Sequence, residues 1–201
     1  MLIEHNGQVP DIDQSTFIAV NAAICGKVKI GKNCRVMYGA SIVAEGGDIE
    51  IGDNCVILEN AVLRSTERHN LRIGNNVMVG PNTHVVGCKV HDEVFIATGA
   101  SVFHGATLET GAEIRINAVV HIMTLVEKDA TVPIGWVAVG NPAQIFPPDR
   151  HEEIWAIQKT LNFPGVVYGL ERGDNMMQRI LGAMVRMLAG HRHDRTLASG
   201  G

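Results

Sequence analysis

Histidine, arginine and two carboxylates carry most of the chemistry that this 201-residue chain offers. His69, His84, His104 and His121 stand in the stretches STERHN, GPNTHVVGC, SVFHG and AVVHI. An imidazole titrates near neutrality, so each is a candidate general base or metal ligand. Arg64, Glu45 and Glu59 add a fixed cation and two carboxylates. A guanidinium either pairs with such a carboxylate or grips a ligand's carboxylate or phosphate through its bidentate fork. The four cysteines, Cys25, Cys34, Cys55 and Cys88, lack CxxC spacing, which argues against a disulfide framework or a zinc knuckle. His191 and His193 fall in HRHDRTLASGG, which reads as a frayed tail rather than a metal site.

The elements that would position these groups are announced by a repeat. Ile18, Ile24, Ile30, Val36 and Ile42 lie six apart, and the series resumes at Ile51, Ile57 and Leu63, then at Ile73, Val79 and Val85. It runs on through Val90, Ile96, Val102, Leu108, Ile114, Val120, Val126 and Val132. Four residues after most of these comes a small one, such as Ala22, Cys34, Ala40, Ala61, Ala100 or Ala118. A period of six is neither helical nor that of a flat strand. Three short strands per coil explain it, with the aliphatic inward and the small residue beside a tight corner. Six or seven coils at the strand spacing give a column roughly 30 Å tall. The thin interior agrees with an aromatic content of 4%. The expected fold is therefore all-β with C-terminal helices, a parallel β-helix of hexapeptide repeats.

Residues 1–148 form this β-helix in our reading, and residues 149–201 a helical segment with the frayed tail. Arg150 to Leu161 places Ile154, Ile157 and Leu161 near one face, and Asp174 to Ala189 offers Met177, Leu181, Met184 and Leu188. Pro164 and Gly165 separate the two, and Asp174 is the expected N-cap of the second. These helices are expected to pack on the column or on a neighbouring subunit. Within the column, strand alternation points His84 and Val86 outward. Val86, Phe103 and His121 each follow an aliphatic of the series by one residue, so they should form an outward column on three successive coils.

A formal net charge of −4 gives no basic face for nucleic acid or anionic lipid. No apolar run reaches the roughly 20 residues needed to span a bilayer. The opening MLIEHNGQVP lacks a basic region followed by an apolar stretch, so a cytoplasmic location is expected, with neither membrane nor nucleic acid as partner.

The segments ILENAVLR, IGNNVMVGPNTHVVGCKV and PIGWVAVGNPAQ resemble the γ-class carbonic anhydrase branch of the hexapeptide-repeat proteins, across roughly residues 8 to 150. That resemblance implies a left-handed β-helix and a homotrimer with sites in the clefts between subunits. Members of the family hold zinc through three histidines; the matching positions here are Arg64, Pro81 and Val86. Proline and valine offer no donor, and arginine is permanently charged, so no zinc is expected at these positions. Polar residues of the family pocket are replaced as well, by Val43, Glu45, Val56 and Leu58. His69 and His84 are the candidates for a relocated metal site. Arg64 is expected to pair with Glu45 or Glu59, or to hold an anionic group of a ligand.

Acyltransferases of the same repeat class use a histidine between subunits as general base and bind coenzyme A along the column. The expectation is therefore an acyl-CoA-dependent acyltransferase with His121 as base, backed by His84 and His104, and with coenzyme A or acyl-CoA as substrate. The alternative is a non-catalytic trimeric scaffold or binding protein. Carbonic anhydrase activity is disfavoured, and thioester hydrolysis weakens with the loss of the zinc ligands.

Overall fold

In the computed structural model, which describes residues 1–197, the hexad becomes three parallel β-sheets wound into one left-handed solenoid. Each turn gives one short strand to each sheet, and hydrogen bonds run from turn to turn. Register keeps Ile24, Ile42, Leu63, Val85, Val102 and Val120 in one inward ladder. All six are fully buried. The corners are held by residues that accept a left-handed backbone: Asn33, Asn54 and Asn76 sit at φ of 55°, 57° and 57°. Their side chains stack into a ladder, Asn33 Nδ2 donating to Asn54 Oδ1 at 2.9 Å and Asn54 Nδ2 to Asn76 Oδ1 at 3.3 Å.

Two of the sheets have seven strands and the third has ten. The ten-stranded sheet is closed at both ends by an antiparallel strand: Gln144–Phe146 pairs with Val137–Val139, and Arg195–Thr196 pairs with Leu2–Glu4. An open solenoid end would otherwise leave a row of unpaired main-chain groups. The sequence from His191 onward reads as a frayed tail. The structure corrects this as far as Leu197, whose N–H donates to the Leu2 carbonyl at 2.8 Å. The final residues of that stretch lie outside the described residues.

Helix α1 (His151–Gln158) continues as a 3-10 turn to Leu161, and α3 (Met176–Leu188) follows near the expected place. Between them is a short helix, α2 (Phe163–Tyr168), where the sequence had suggested only a break. Pro164 lies in its first turn, where a missing N–H leaves no intrahelical bond unmade. Asp174 does not cap α3; the N-cap position belongs to Asn175, in a left-handed conformation without a side-chain cap. The apolar residues of α3 divide between two faces. Ile180 is buried and Ala183, Met184 and Met187 face the solenoid, whereas Met177, Leu181, Val185 and Leu188 are exposed. Among the described residues, no helix is long and apolar enough to cross a membrane.

Candidate functional site

The ten-stranded sheet carries most of the candidate residues, because its register aligns what the chain keeps far apart. One step beyond the inward ladder, Cys25 pairs with Val43, Val43 with Arg64, and Arg64 with Val86. Phe103 and His121 hold the corresponding places on the next turns. One step before the ladder, His84 lies beside Val62 and Ser101. His84 is exposed, while Val86 is buried.

Helices α2 and α3 roof this part of the sheet and leave a cleft of about 260 Å³. Arg64, His84 and His104 line it from the solenoid, with Tyr168, Met184 and Met187 opposite. Burial, reinforced by His69, His84 and Arg64, lowers the His104 pKa to about 4. Burial and then Arg64 lower that of His84. Both imidazoles are therefore neutral acceptors at neutral pH. His104 Nδ1 is buried without a hydrogen-bond partner. His69 stands with its ring 5.7 Å from that of His104, its Nε2 2.9 Å from the Val166 carbonyl. Gly87 permits this approach, since a Cβ there would lie 2.6 Å from the His69 Cβ. His121 does not line the cleft; it is half-buried, and burial lowers its pKa.

Arg64 reaches out of the cleft to Glu45, with Nη2 3.0 Å from Oε2, and Glu59 forms no ion pair among the described residues. Glu45 is 1% exposed, and a buried carboxylate requires such company. The same Oε2 lies 2.9 Å from His191 Nε2. His191 Nδ1 lies 2.7 Å from Asp194 Oδ2, and Asp194 Oδ1 lies 2.6 Å from His5 Nδ1. Burial opposes charge on both members of the His191–Asp194 pair. Their mutual hydrogen bond, with those from Glu45 and His5, outweighs it, raising the histidine's pKa and lowering that of the carboxyl. Cys25 lies beneath, its thiol pushed up to about 11 by burial and by Asp194. Donor atoms of His5, Cys25, His191 and Asp194 all fall within 4.8 Å of one another. Sequence reasoning assigned none of these a site role: 166 residues separate Cys25 from His191, and the only local signal was the HRHD of the supposed tail.

No family model matches the chain. It is 29% identical to a mitochondrial γ carbonic anhydrase of Arabidopsis thaliana over 159 residues, 76% of this chain and 56% of that one. It is 30% identical to a probable carbonic anhydrase of Methanocaldococcus jannaschii over 91 residues, 45% of this chain and 57% of that one. In sequence the chain is similar to γ carbonic anhydrases, and its fold is a hexapeptide-repeat solenoid. It spans about half the length of the curated relatives it matches. In fold, this γ-carbonic anhydrase-like protein superposes on a UDP-N-acetylglucosamine acyltransferase of Bacteroides fragilis, with TM-score 0.58, 17% identity, and coverage of 94% of this chain and 87% of the other.

The zinc that the resemblance implies finds no ligands at the matching positions. Pro81 and Val86 bring no donor atom, and the Arg64 guanidinium is engaged by Glu45. A cation placed there would face the fixed positive charge of Arg64.

Proposed function

We propose that this γ-carbonic anhydrase-like protein is an acyltransferase that moves an acyl group from a coenzyme A thioester to a small acceptor. The observation that carries the reading is the cleft beneath α2 and α3, where two neutral imidazoles, His84 and His104, stand beside Arg64 and apolar methionines. His84 is the better base. It keeps the milder perturbation and the greater exposure, whereas a pKa of about 4 leaves His104 a weak acceptor at neutral pH. His84 takes the proton of the acceptor's hydroxyl or amine as that atom bonds to the thioester carbonyl carbon. The carbon–sulfur bond breaks, and the departing thiolate receives the proton from the imidazolium. Met184, Met187 and Val86 offer the acyl chain an apolar wall.

The assembly we propose is a homotrimer acting in the cytoplasm, in which the exposed stripe of α3 meets another subunit. In that trimer His121, two turns beyond Val86 in the same column, is a second imidazole available to an acceptor. A non-catalytic scaffold is the rival reading, and the Arg64–Glu45 pair favours it, because a guanidinium already engaged has less to offer a ligand.

Titration with coenzyme A and acetyl-CoA, followed by melting temperature and by thiol release with candidate acceptors, tests the proposal. Saturable stabilisation by the thioester, with thiol release lost in His84→Ala, is the expected result. No stabilisation by any acyl-CoA would leave the scaffold reading in its place.

A further inference from the structure

A cluster that the acyl-transfer reading does not use lies at the first turns of the solenoid. Cys25 ends the strand Ala23–Cys25 and His5 directly follows the strand Leu2–Glu4, both at the closed end of the ten-stranded sheet, and His191 and Asp194 come from the segment that returns after α3. We infer that His5, Cys25, His191 and Asp194 form a binding site for a divalent transition-metal ion, with zinc as its chemical match. Two imidazoles, one thiol and one carboxylate are the mixture of nitrogen, sulfur and oxygen donors that such an ion takes in tetrahedral geometry. Donors at zinc-bond lengths stand about 3.5 Å apart, so a group already within 4.8 Å needs only a small contraction.

The surroundings supply a second, independent observation. Each imidazole turns Nδ1 toward Asp194 and has its other nitrogen held by a side chain: His191 Nε2 by Glu45 at 2.9 Å, and His5 Nε2 by the Asn6 amide at 2.9 Å. An imidazole bound to metal through one nitrogen carries its proton on the other and needs an acceptor there. Glu45 is that acceptor for His191 and is itself braced by Arg64. The Asn6 amide serves His5 by presenting its oxygen instead of its nitrogen, a half-turn about the terminal torsion. His5 and Cys25 are buried, while Asp194 and His191 keep 20% and 31% of their surface open, which leaves a path for the ion. On binding, the Cys25 thiol gives up its proton and both Nδ1 atoms, unprotonated, direct their lone pairs at the ion.

Four protein donors fill the coordination sphere, so the site is structural: it fastens the returning C-terminal segment to the first two turns. None of its ligands stands at Arg64, Pro81 or Val86, the positions that the family resemblance pointed to.

The test uses the full chain, stripped with chelator, exposed to excess zinc and dialysed. About one zinc per chain is expected to remain. The cobalt-loaded form should show tetrahedral absorption together with a thiolate-to-cobalt charge-transfer band, and Cys25→Ser should abolish that band. Asp194→Asn and His191→Ala should release the metal, Glu45→Gln should weaken binding about 10-fold, and the double variant His69→Ala/His84→Ala should retain it. No metal retained by the wild-type chain overturns the inference whether or not the variants fold. So does a cobalt spectrum lacking the thiolate band, or loss of metal from the His69/His84 double variant, which would place the ion in the cleft.

Discussion

Arg64 occupies a position where the family resemblance calls for a metal-binding histidine, and its side chain instead neutralises a buried carboxylate. Removing it leaves Glu45 with His191 as its sole cationic partner among the described residues. Arg64→Ala should therefore cost about 1–3 kcal/mol in denaturant unfolding, the range for stranding a buried polar group. The loss should shrink when Glu45→Gln is already present, because the two side chains share one interaction. His104 makes a different prediction. Its pKa drops from an ordinary 6.5 to about 4 on folding, so between those values the unfolded chain binds more protons. Stability is full above the higher value and falls as the pH drops toward the lower one. Comparing melting temperatures at about pH 7 and about pH 5 should show a smaller loss in His104→Leu than in the wild type; equal losses would mean that His104 gains its proton without cost. The ion pair with Glu45, rather than Glu59, could not be chosen from sequence. Glu59 precedes Arg64 on its own turn and Glu45 stands on the adjacent one, and side-chain reach decides between them.

At the level of elements, the hexad predicts which side chains matter. Ile96 is fully buried in a narrow interior, so Ile96→Ala should cost about 2–5 kcal/mol. Ile116 is 45% exposed at a corner, and Ile116→Ser should change stability by no more than about 0.5 kcal/mol. Denaturation midpoints of the two variants compare them directly, and similar losses would contradict the assignment of inside and outside. The helices were less legible. The spacing of Met177, Leu181, Met184 and Leu188 announces α3 but not its orientation, since apolar residues surround much of it and only the packed solenoid selects Ile180, Met184 and Met187. Helix α2 was missed because proline and glycine signal a break by local preference, while a first-turn proline is compatible with a helix held in place by tertiary packing.

At the scale of the whole molecule, the returning segment Arg195–Thr196 covers the first edge of the ten-stranded sheet. Truncation after Ala189 removes that cover. Amide exchange at Leu2–Glu4 should then accelerate well beyond that of the central turns, whereas unchanged protection would show that the edge strand stands alone. The proposed trimer predicts a mass of three chains in light scattering. A monomer at working concentration would rule out any cleft shared between subunits.

The sequence alone determined the solenoid. A six-residue period over more than a hundred positions is a backbone constraint that repeats, and each repeat restates the same inward aliphatic and the same tight corner. It also puts Arg64, Pro81 and Val86 where the family resemblance expects metal-binding histidines, and residue identity alone fixes what those side chains can donate. What only the tertiary structure decided is which distant groups meet. Apart from His191 and Asp194 in HRHD, these groups (Glu45, His5 and Cys25) share no spacing or motif, and they converge because the chain returns from α3 to pair with its own first strand. Contacts closed by such a return depend on where a long segment lands, which no local pattern of residues encodes.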